Sequence, residues 1–172
     1  MNSTPEIRRN PAFANGPAAV ILVPSKNDKM SGSKIMAEYN RPLPAPTPET
    51  QHFWDGCRDG ELRLQRCKSC KESYFPPRPF CPACGSREVE IYKASGKATL
   101  YSYVINHRPR PEFGEAPHSI AVVTRAEGPR MMTNIIGCPQ TPEALHLDMP
   151  LEVTFETANE EISLPKFRPV KG

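Results

Sequence analysis

CKSCKESYFPPRPFCPACG, residues 67–85, contains two Cys-x-x-Cys pairs separated by ten residues. Each pair can offer two thiolates from one tight turn, and two such turns complete a tetrahedral four-sulfur site with metal–sulfur distances of about 2.3 Å. Two disulfides or four unrelated thiols are the alternative, which is disfavoured because we find no secretory signal and reducing compartments keep thiols free. We therefore predict zinc, or iron in its place, bound by Cys67, Cys70, Cys81 and Cys84. Because sulfur fills all four positions, the ion is expected to be structural.

The residues on both sides of the cysteine pairs predict a small β module. Leu62 and Leu64 alternate with polar residues before the first pair, and Val89 and Ile91 do so after the second. This is the period of a half-buried strand. The ten residues between the pairs include aromatic rings and prolines, which either shield the metal or fill a minor core. The sequence therefore predicts a small zinc ribbon over residues 61–93.

A short helix is predicted ahead of the ribbon, in the segment 47–60. Thr47 offers an N-cap hydroxyl, and Pro48 suits the first helical position. Gly60 provides a residue at which the helix can end, so we predict a helix over 48–58. Its predicted buried face consists of Phe53, Trp54 and Cys57.

Residues 94–172 contain five short runs rich in Val, Ile, Tyr and Thr, with Pro, Gly and Asn between them. This pattern predicts a mainly β domain that closes into a small barrel. A five-stranded OB-fold barrel is the economical choice, although the strand count also fits an SH3-like barrel. The predicted strands are Lys97–Asn106, Ser119–Ala126, Arg130–Cys138, Leu151–Thr157 and Ile162–Phe167.

Composition separates the first 46 residues from the rest. They mix Asn, Ser, Gly, Pro and Lys without periodicity, which predicts a flexible Pro-rich tail at 1–46. Residues 1–45 contain six basic and three acidic residues, whereas 46–172 contain sixteen of each. A folded part without a basic excess makes nucleic acid an unlikely partner. The longest apolar run, Ala18–Val23, is far shorter than the roughly 20 residues of a membrane helix, so we expect a cytoplasmic protein without a membrane partner.

The sequence shows no catalytic motif. His107 and His118 bracket a proline-rich loop and are the best candidates for a functional pair, with ordinary loop histidines as the alternative. No histidine lies in a metalloprotease-type motif, and no serine lies in a nucleophile elbow. Cys57 and Cys138 are interpreted as small packed side chains, because nothing near them in sequence supplies a base. We predict that this chain carries no catalytic residue.

Several motifs together resemble the zinc-ribbon and OB-fold proteins catalogued as domain of unknown function thirty-five. The resemblance covers residues 42–169. Its motifs are Pro42-x-Pro44, Thr47-Pro48-Glu49-Thr50, Phe53-Trp54-x-Gly56, Leu62-x-Leu64-x-Arg66-Cys67-x-x-Cys70, Tyr74-Phe75-Pro76-Pro77-Arg78, Cys81-Pro82-x-Cys84-Gly85, Gly96, Glu127-Gly128-Pro129-Arg130, Asn134-Ile135-Ile136-Gly137-Cys138 and Leu164-Pro165-x-Phe167-Arg168-Pro169.

The resemblance implies an N-terminal helix, a rubredoxin-like zinc ribbon and a C-terminal OB barrel. It also implies a task as a non-catalytic accessory subunit of a thiolase-type enzyme that processes acyl-CoA, with a thiolase-like or an enoyl-CoA-hydratase-like subunit as partner. The partner would supply the chemistry, while this chain would stabilise it and help to hold the acyl-CoA.

An acyl-CoA site requires basic side chains near an apolar groove, because CoA carries phosphates. The candidate contacts are Arg108, Arg110, Arg125, Arg130, Lys166 and Arg168. Two other functions compete with the accessory subunit. A zinc ribbon joined to an OB fold also suits a module that binds single-stranded nucleic acid, and a stand-alone acyl-CoA enzyme would turn over its substrate without a partner.

Overall fold

The computed structural model describes residues 39, 41–110, 113 and 115–170. Most of the predicted tail, all but residues 39 and 41–46, lies outside the described residues. The described part is mainly β with one short helix, as predicted. Its elements are α1 (Gln51–Arg58), β1 (Arg63–Cys67), β2 (Ser73–Tyr74), β3 (Val89–Lys93), β4 (Lys97–Asn106), β5 (His118–Arg125), β6 (Arg130–Thr133), β7 (Pro150–Thr157) and β8 (Ser163–Pro169).

Helix α1 begins three residues later than predicted. Thr50 is the N-cap, and its side chain caps no backbone group. The hydroxyls of Thr47 and Thr50 lie 3.1 Å apart, so the Thr47 side chain pairs with a neighbouring hydroxyl within a turn and does not begin the helix. The helix ends before Gly60, whose φ of 76° is left-handed as the sequence suggests. Phe53 and Cys57 are buried on the predicted face.

The three ribbon strands form an antiparallel sheet in the order β2-β1-β3. Gln65 of β1 pairs with Tyr74 on one side and with Ile91 on the other. Leu62 and Leu64, at the end of the ribbon away from the cysteines, are buried in the same apolar core as the barrel interior. The ribbon therefore shares a core with the barrel at one end and carries its cysteines at the other.

Strands β4–β8 form a curled antiparallel sheet in the order β6-β5-β4-β7-β8. A bulge at Tyr101 interrupts the pairing of β4 with β5, and bulges of this kind bend a sheet toward closure. The ends meet where Ile135 forms a parallel bridge with Phe167. This order and closure are those of the predicted OB fold.

Strand β6 is shorter than predicted, because it ends at Thr133 and not at Cys138. The backbone beyond it turns to β8, where Ile136 N–H donates to Phe167 O (2.8 Å) and Phe167 N–H donates to Asn134 O (3.1 Å). The β-like residues after Thr133 thus close the barrel and do not extend β6. Phe167 lies fully buried at this junction.

Candidate metal centre and binding grooves

The structure brings the four predicted cysteines together, with all four Sγ atoms within 4.8 Å of one another. Cys67 Sγ lies 3.6 Å from Cys84 Sγ, and Cys70 Sγ lies 3.6 Å from Cys81 Sγ. These separations are much longer than the roughly 2.05 Å of a disulfide. They are close to the sulfur–sulfur edge of about 3.8 Å in a tetrahedron with 2.3 Å metal–sulfur bonds. The residues present therefore fit a four-thiolate ion site.

The two cysteine turns repeat the same backbone pattern. Lys71 N–H donates to Cys67 O (3.0 Å), and Gly85 N–H donates to Cys81 O (2.9 Å). Each donor residue follows its pair and has a left-handed φ, 64° for Lys71 and 73° for Gly85. The position of Gly85 suggests such a turn, because glycine adopts this backbone without a steric cost. Sequence reasoning missed the same role for Lys71, because a lysine gives no signal for it.

Backbone donors favour negative sulfur in the first turn. The Cys70 backbone N–H donates to Cys67 Sγ at 3.4 Å and lowers the pKa of the Cys67 thiol to about 6, against the opposing effect of burial. Cys67 and Cys81 are buried, whereas Cys70 and Cys84 are exposed. Against a backbone hydrogen bond from Glu72, burial and the neighbouring cysteine thiols raise the pKa of Cys70 to about 12. Before an ion arrives, the first turn therefore favours the metal-binding thiolate form at Cys67 and not at Cys70.

The segment between the pairs serves both the metal site and the shared core. Tyr74 is buried beside Cys67 and Cys81, while the next ring, Phe75, lies 5.2 Å from Phe53 of α1. The segment is fixed to the ribbon sheet by buried Gln65, whose Oε1 accepts a 2.7 Å hydrogen bond from a backbone N–H of the segment. Tyr74 therefore packs beside the metal site, and Phe75 packs against the shared core. The sequence alone leaves open whether these rings shield the metal or fill a core.

Arg125, one of the six candidate acyl-CoA contacts, lies inside the molecule and is only 2% exposed. Its guanidinium carbon lies 4.7 Å from the centre of the Phe75 ring, and its Nε donates to Pro129 O at 3.1 Å. Burial lowers its pKa to about 10. The side chain therefore joins the ribbon to the end of β5 and does not reach the surface on which a CoA phosphate would lie.

The other five candidate cations are distributed over the barrel. Arg130 lies over the Tyr101 ring at 3.5 Å, and the Arg168 Nε donates to a Glu152 carboxylate at 2.8 Å. Lys166 is buried and forms an ion pair with Glu156. The remaining two, Arg108 and Arg110, are exposed in the loop after β4.

Two grooves meet at Lys166 and Asn134, which line both of them. The first has a volume of about 390 Å³ and contains polar side chains from Arg41, His118 and Gln140. The second has a volume of about 290 Å³ and is mainly apolar. It is lined by Phe53, Trp54, Phe75, Met131, Met132 and Leu164, with further residues of β6 and β8. Helix, ribbon and barrel all contribute to the apolar groove.

Sequence reasoning missed Arg41, Asn134 and Gln140 as groove residues. Asn134 lies in a motif of the family resemblance, which was its only available signal. Of the predicted histidine pair, His118 lines the polar groove, with Nδ1 3.1 Å from Glu115 O. His107 is exposed just beyond β4, and a joint role for the two stays a prediction.

The two remaining cysteines are packed, as predicted. Cys57 is fully buried, and burial raises its pKa to about 12. Cys138 is partly buried against the shared core, and burial raises its pKa as well. Among the described residues, the four ribbon cysteines are the one group of three or more His, Cys, Asp or Glu side chains close enough to share a metal ion.

The ribbon and the OB barrel define the class of protein, and comparisons with known proteins give its family. Residues 54–90 match the rubredoxin-like zinc ribbon domain of ChsH2, and residues 92–156 match the C-terminal OB-fold domain of ChsH2. A "DUF35 domain-containing scaffold protein" of Methanocaldococcus jannaschii is 37% identical over 98 residues, which cover 56% of this chain and 68% of that protein. The chain belongs to this DUF35 family, and the ribbon match with the gathered cysteines confirms structural zinc as the predicted cofactor.

Two further similarities connect the fold to enzymes. The solved structure "Ltp2-ChsH2(DUF35) aldolase" contains a chain with 34% sequence identity and a TM-score of 0.67, and the alignment covers 74% of this chain and 98% of that chain. A "Probable enoyl-CoA hydratase alpha subunit" of Thermomonospora curvata is 35% identical over 129 residues, 75% of this chain. The chain spans only 40% of the length of that subunit.

In the part of the chain that the structure describes, no helix has the length and apolar character that crossing a bilayer requires.

Proposed function

We propose that this chain is a non-catalytic accessory subunit of a hetero-oligomeric enzyme that processes acyl-CoA, with a thiolase-type subunit as its partner. The main observation behind the non-catalytic role is the four-cysteine metal site. Its four positions are all occupied by cysteine sulfur, so a bound ion has no open position for water or substrate. The ion stabilises the ribbon, and the reacting groups come from the partner.

The named relatives support an enzyme partner. One is the DUF35 chain of a structure named as an aldolase with Ltp2, another is named as a subunit of a probable enoyl-CoA hydratase, and a third is named as a scaffold protein. A thiolase-type partner follows from the family resemblance of the sequence. A hydratase-like subunit is the second partner that the relatives favour.

The two grooves support a contact with acyl-CoA. CoA is an anion with an apolar acyl end, and the grooves place a polar region, lined by Arg41 and Lys166 together with Glu115, next to an apolar one. Lys166 lies where they meet, so its ammonium is the proposed contact for a phosphate or for the thioester oxygen. Arg108, Arg110, Arg130 and Arg168 are proposed as contacts at the rim. Arg125 is left out of this set because it is buried and lines neither groove.

The barrel gives little support to the competing nucleic-acid function. OB folds that bind single strands stack bases on exposed aromatic rings of the barrel face. The outward residues of β5 and β6 include Ile120, Val122 and Met132 but no aromatic ring. On β4 the exposed Tyr101 ring is covered by Arg130.

Affinity purification of the full-length chain from its native organism, followed by mass spectrometry, tests the proposal. We expect a thiolase-type or hydratase-like acyl-CoA enzyme at a fixed stoichiometry, and turnover of acyl-CoA by the complex but not by the purified chain. Turnover of acyl-CoA by the chain alone would contradict the proposal. Micromolar binding of a labelled oligonucleotide that weakens steeply with salt, without any enzyme partner, would favour the competing function.

The acyl-CoA contact is tested on the same complex. Lys166→Gln is expected to weaken acyl-CoA binding about tenfold, since a charge-assisted hydrogen bond contributes about 1.5–3 kcal/mol. Lys93→Gln, which changes a well-exposed ribbon lysine, is the matched control and is expected to change nothing. Equal affinities for the two variants would remove Lys166 from the site.

A further inference from the structure

The outward face of β4, β5 and β6 is apolar where a solvated barrel surface should be polar. In a sheet with one face on the core, side chains alternate between a buried and a solvated face. Here Val104, Ile120 and Met132 point outward and are 60%, 38% and 70% exposed. Val104 pairs directly with Ile120, and Met132 pairs with the outward residue Val122. We call Val104, Ile120, Val122 and Met132 the outer apolar face.

Among the described residues, the outward positions of β4, β5 and β6 carry cations and polar groups but no acidic side chain, whereas Glu152 of β7 lies opposite Lys97. Arg130 is exposed and lies over the exposed Tyr101 ring at 3.5 Å, at one side of the face. Another cation, Lys97, is outward at the start of β4. The other outward positions of the three strands are Thr99, Ser102, Asn106, His118 and Thr124. A surface that matches this face is therefore apolar at its centre and acidic at the part of its rim that meets Arg130.

The charge pattern distinguishes between possible occupants. A second copy of this chain would bring the same outward positions of β4, β5 and β6 onto Arg130, and because none of the described ones is acidic, Arg130 would gain no acidic partner from them. A nucleic acid would find phosphate contacts, but the aliphatic centre offers its bases no stacking ring. A protein with apolar side chains surrounded by Asp and Glu satisfies both features.

We infer that the outer apolar face is the surface on which the acyl-CoA enzyme docks, and that the enzyme's matching surface carries an acidic rim. This inference rests on the proposed function for the existence of that partner. Met132 and Val104 are the central anchors of the interface, and Arg130, held in place over Tyr101, is the charged contact at its edge. Ile91 of β3 is not part of this face and offers a matched control, because it is an aliphatic strand residue that is 51% exposed.

Photo-crosslinking locates the interface and identifies its occupant in one experiment. The full-length chain is expressed in its native organism with p-benzoylphenylalanine at position 104 or at position 91, and adducts are identified by mass spectrometry after irradiation. We expect an adduct with an acyl-CoA enzyme from position 104 and none from position 91. The affinity of that enzyme is then measured with purified variants.

The variants test the anchors and the charge. Met132 is 70% exposed and also lines the apolar groove, so binding of the enzyme is measured without acyl-CoA. Met132→Glu is expected to weaken that binding at least 100-fold, because it introduces an acid into the apolar centre of the interface. Ile91→Glu is expected to change binding less than threefold. Arg130→Glu is expected to weaken binding about tenfold at low salt and less at high salt. Zinc content and circular dichroism establish that each variant is folded.

The contrary outcomes separate this inference from the proposed function. An acyl-CoA enzyme captured only from position 91, or equal affinities for Met132→Glu and Ile91→Glu, would overturn the docking surface while leaving the accessory role intact. An adduct from position 104 with a second copy, with residues 1–38 of the same chain or with a nucleic acid would overturn the inferred occupant. An adduct from position 104 with a protein that does not process acyl-CoA would overturn the inference and the proposed function together.

Discussion

The cysteine end of the ribbon buries few apolar side chains, whereas the barrel interior is filled with them. Around the cysteines, the buried cluster consists of Cys67, Tyr74 and Cys81, with Val89 packed against it. The barrel core includes Leu100, Val123, Ile135, Leu151 and Phe167, all at most 1% exposed, and the helix and the near end of the ribbon add to it. Burial of so few apolar side chains cannot offset the conformational entropy that the chain loses when the two cysteine turns become ordered.

The difference shows how a single chain divides its sources of stability. Burial of apolar surface stabilises the barrel, while metal–thiolate bonds replace a core around the cysteines. The two parts meet where Arg125 of β5 lies over Phe75 of the ribbon. Changes at the metal, in the barrel core and at this junction should therefore have different consequences.

The largest effect is expected from Cys67→Ser, which removes a buried thiolate from the ion site. Structural zinc contributes about 10–16 kcal/mol of apparent binding energy to small ribbons, so loss of the ion should unfold the cysteine end. We expect zinc, measured by elemental analysis, to fall from about one ion per chain toward none. Cys138→Ser, which changes a cysteine outside the site, is expected to keep its zinc. A Cys67→Ser protein that stayed folded in the presence of a chelator would show that the ribbon does not need the ion.

Phe167→Ala should destabilise the barrel without releasing the ion. Phe167 is fully buried where the barrel closes, and removing a buried phenylalanine ring costs about 3–5 kcal/mol. Urea denaturation measures the loss, and Phe80→Ala, at a ring that is 44% exposed, should change stability by about 0.5 kcal/mol or less. Loss of zinc from the folded Phe167→Ala protein would mean that barrel and metal site do not have separate sources of stability.

Arg125→Met is expected to raise the free energy of unfolding by about 1 kcal/mol, because burial lowers the pKa of Arg125 and its charge therefore costs stability in the folded chain. The matched control is Arg66→Met, since Arg66 also lies over a ring, Tyr92, but at the surface. There we expect a change of about 0.5 kcal/mol or less. A loss of stability in Arg125→Met would show that its contact with Phe75 outweighs the cost of burying the charge.

The pH dependence of this increase in the free energy of unfolding follows from the sign of the Arg125 pKa shift. Burial lowers the pKa of Arg125 in the folded chain to about 10, so the unfolded chain binds this proton more tightly. Below about pH 10 the buried charge lowers the free energy of unfolding by its full amount. This loss declines only as the pH rises from there toward the pKa of the unfolded chain. The increase in the free energy of unfolding caused by Arg125→Met should therefore be the same at pH 6 and at pH 9.

The smallest expected effect is a difference in thiol reactivity between Cys57 and Cys138, which is measured without changing the fold. Burial raises the pKa of Cys57 to about 12, so about one molecule in ten thousand carries the reactive thiolate at pH 8. Iodoacetamide should label partly buried Cys138 at least 100-fold faster than Cys57 in the zinc-loaded protein, as followed by peptide mass spectrometry. Equal labelling rates would mean that α1 opens readily from the core.

Local sequence patterns predicted the parts of the fold that depend on neighbouring residues. The spacing of the cysteines gave the metal cluster, and a run rich in Val, Ile, Tyr and Thr gave β4 with its observed bounds, Lys97–Asn106. The start of α1 was wrong because two nearby threonine hydroxyls pair with each other, a competition that capping preferences do not resolve.

Features that depend on distant parts of the chain could not be read from the sequence. Arg125 at the end of a strand has the pattern of an exposed cation, and only the folded chain brings Phe75, from a loop fifty positions earlier, beneath it. The end of β6 at Thr133 was missed for the same reason, because the residues that follow it pair with β8. The grooves around Lys166 combine helix, ribbon and barrel, and no local spacing indicates that combination.

Hydrogen exchange with mass spectrometry, on the zinc-loaded chain before and after chelation, tests most directly whether ion and core stabilise different parts of this molecule. We expect the backbone amides of residues 67–88 to lose their protection when zinc is removed, while those of β4–β8 keep theirs. Unchanged protection at residues 67–88, or a parallel loss throughout the barrel, would contradict that division.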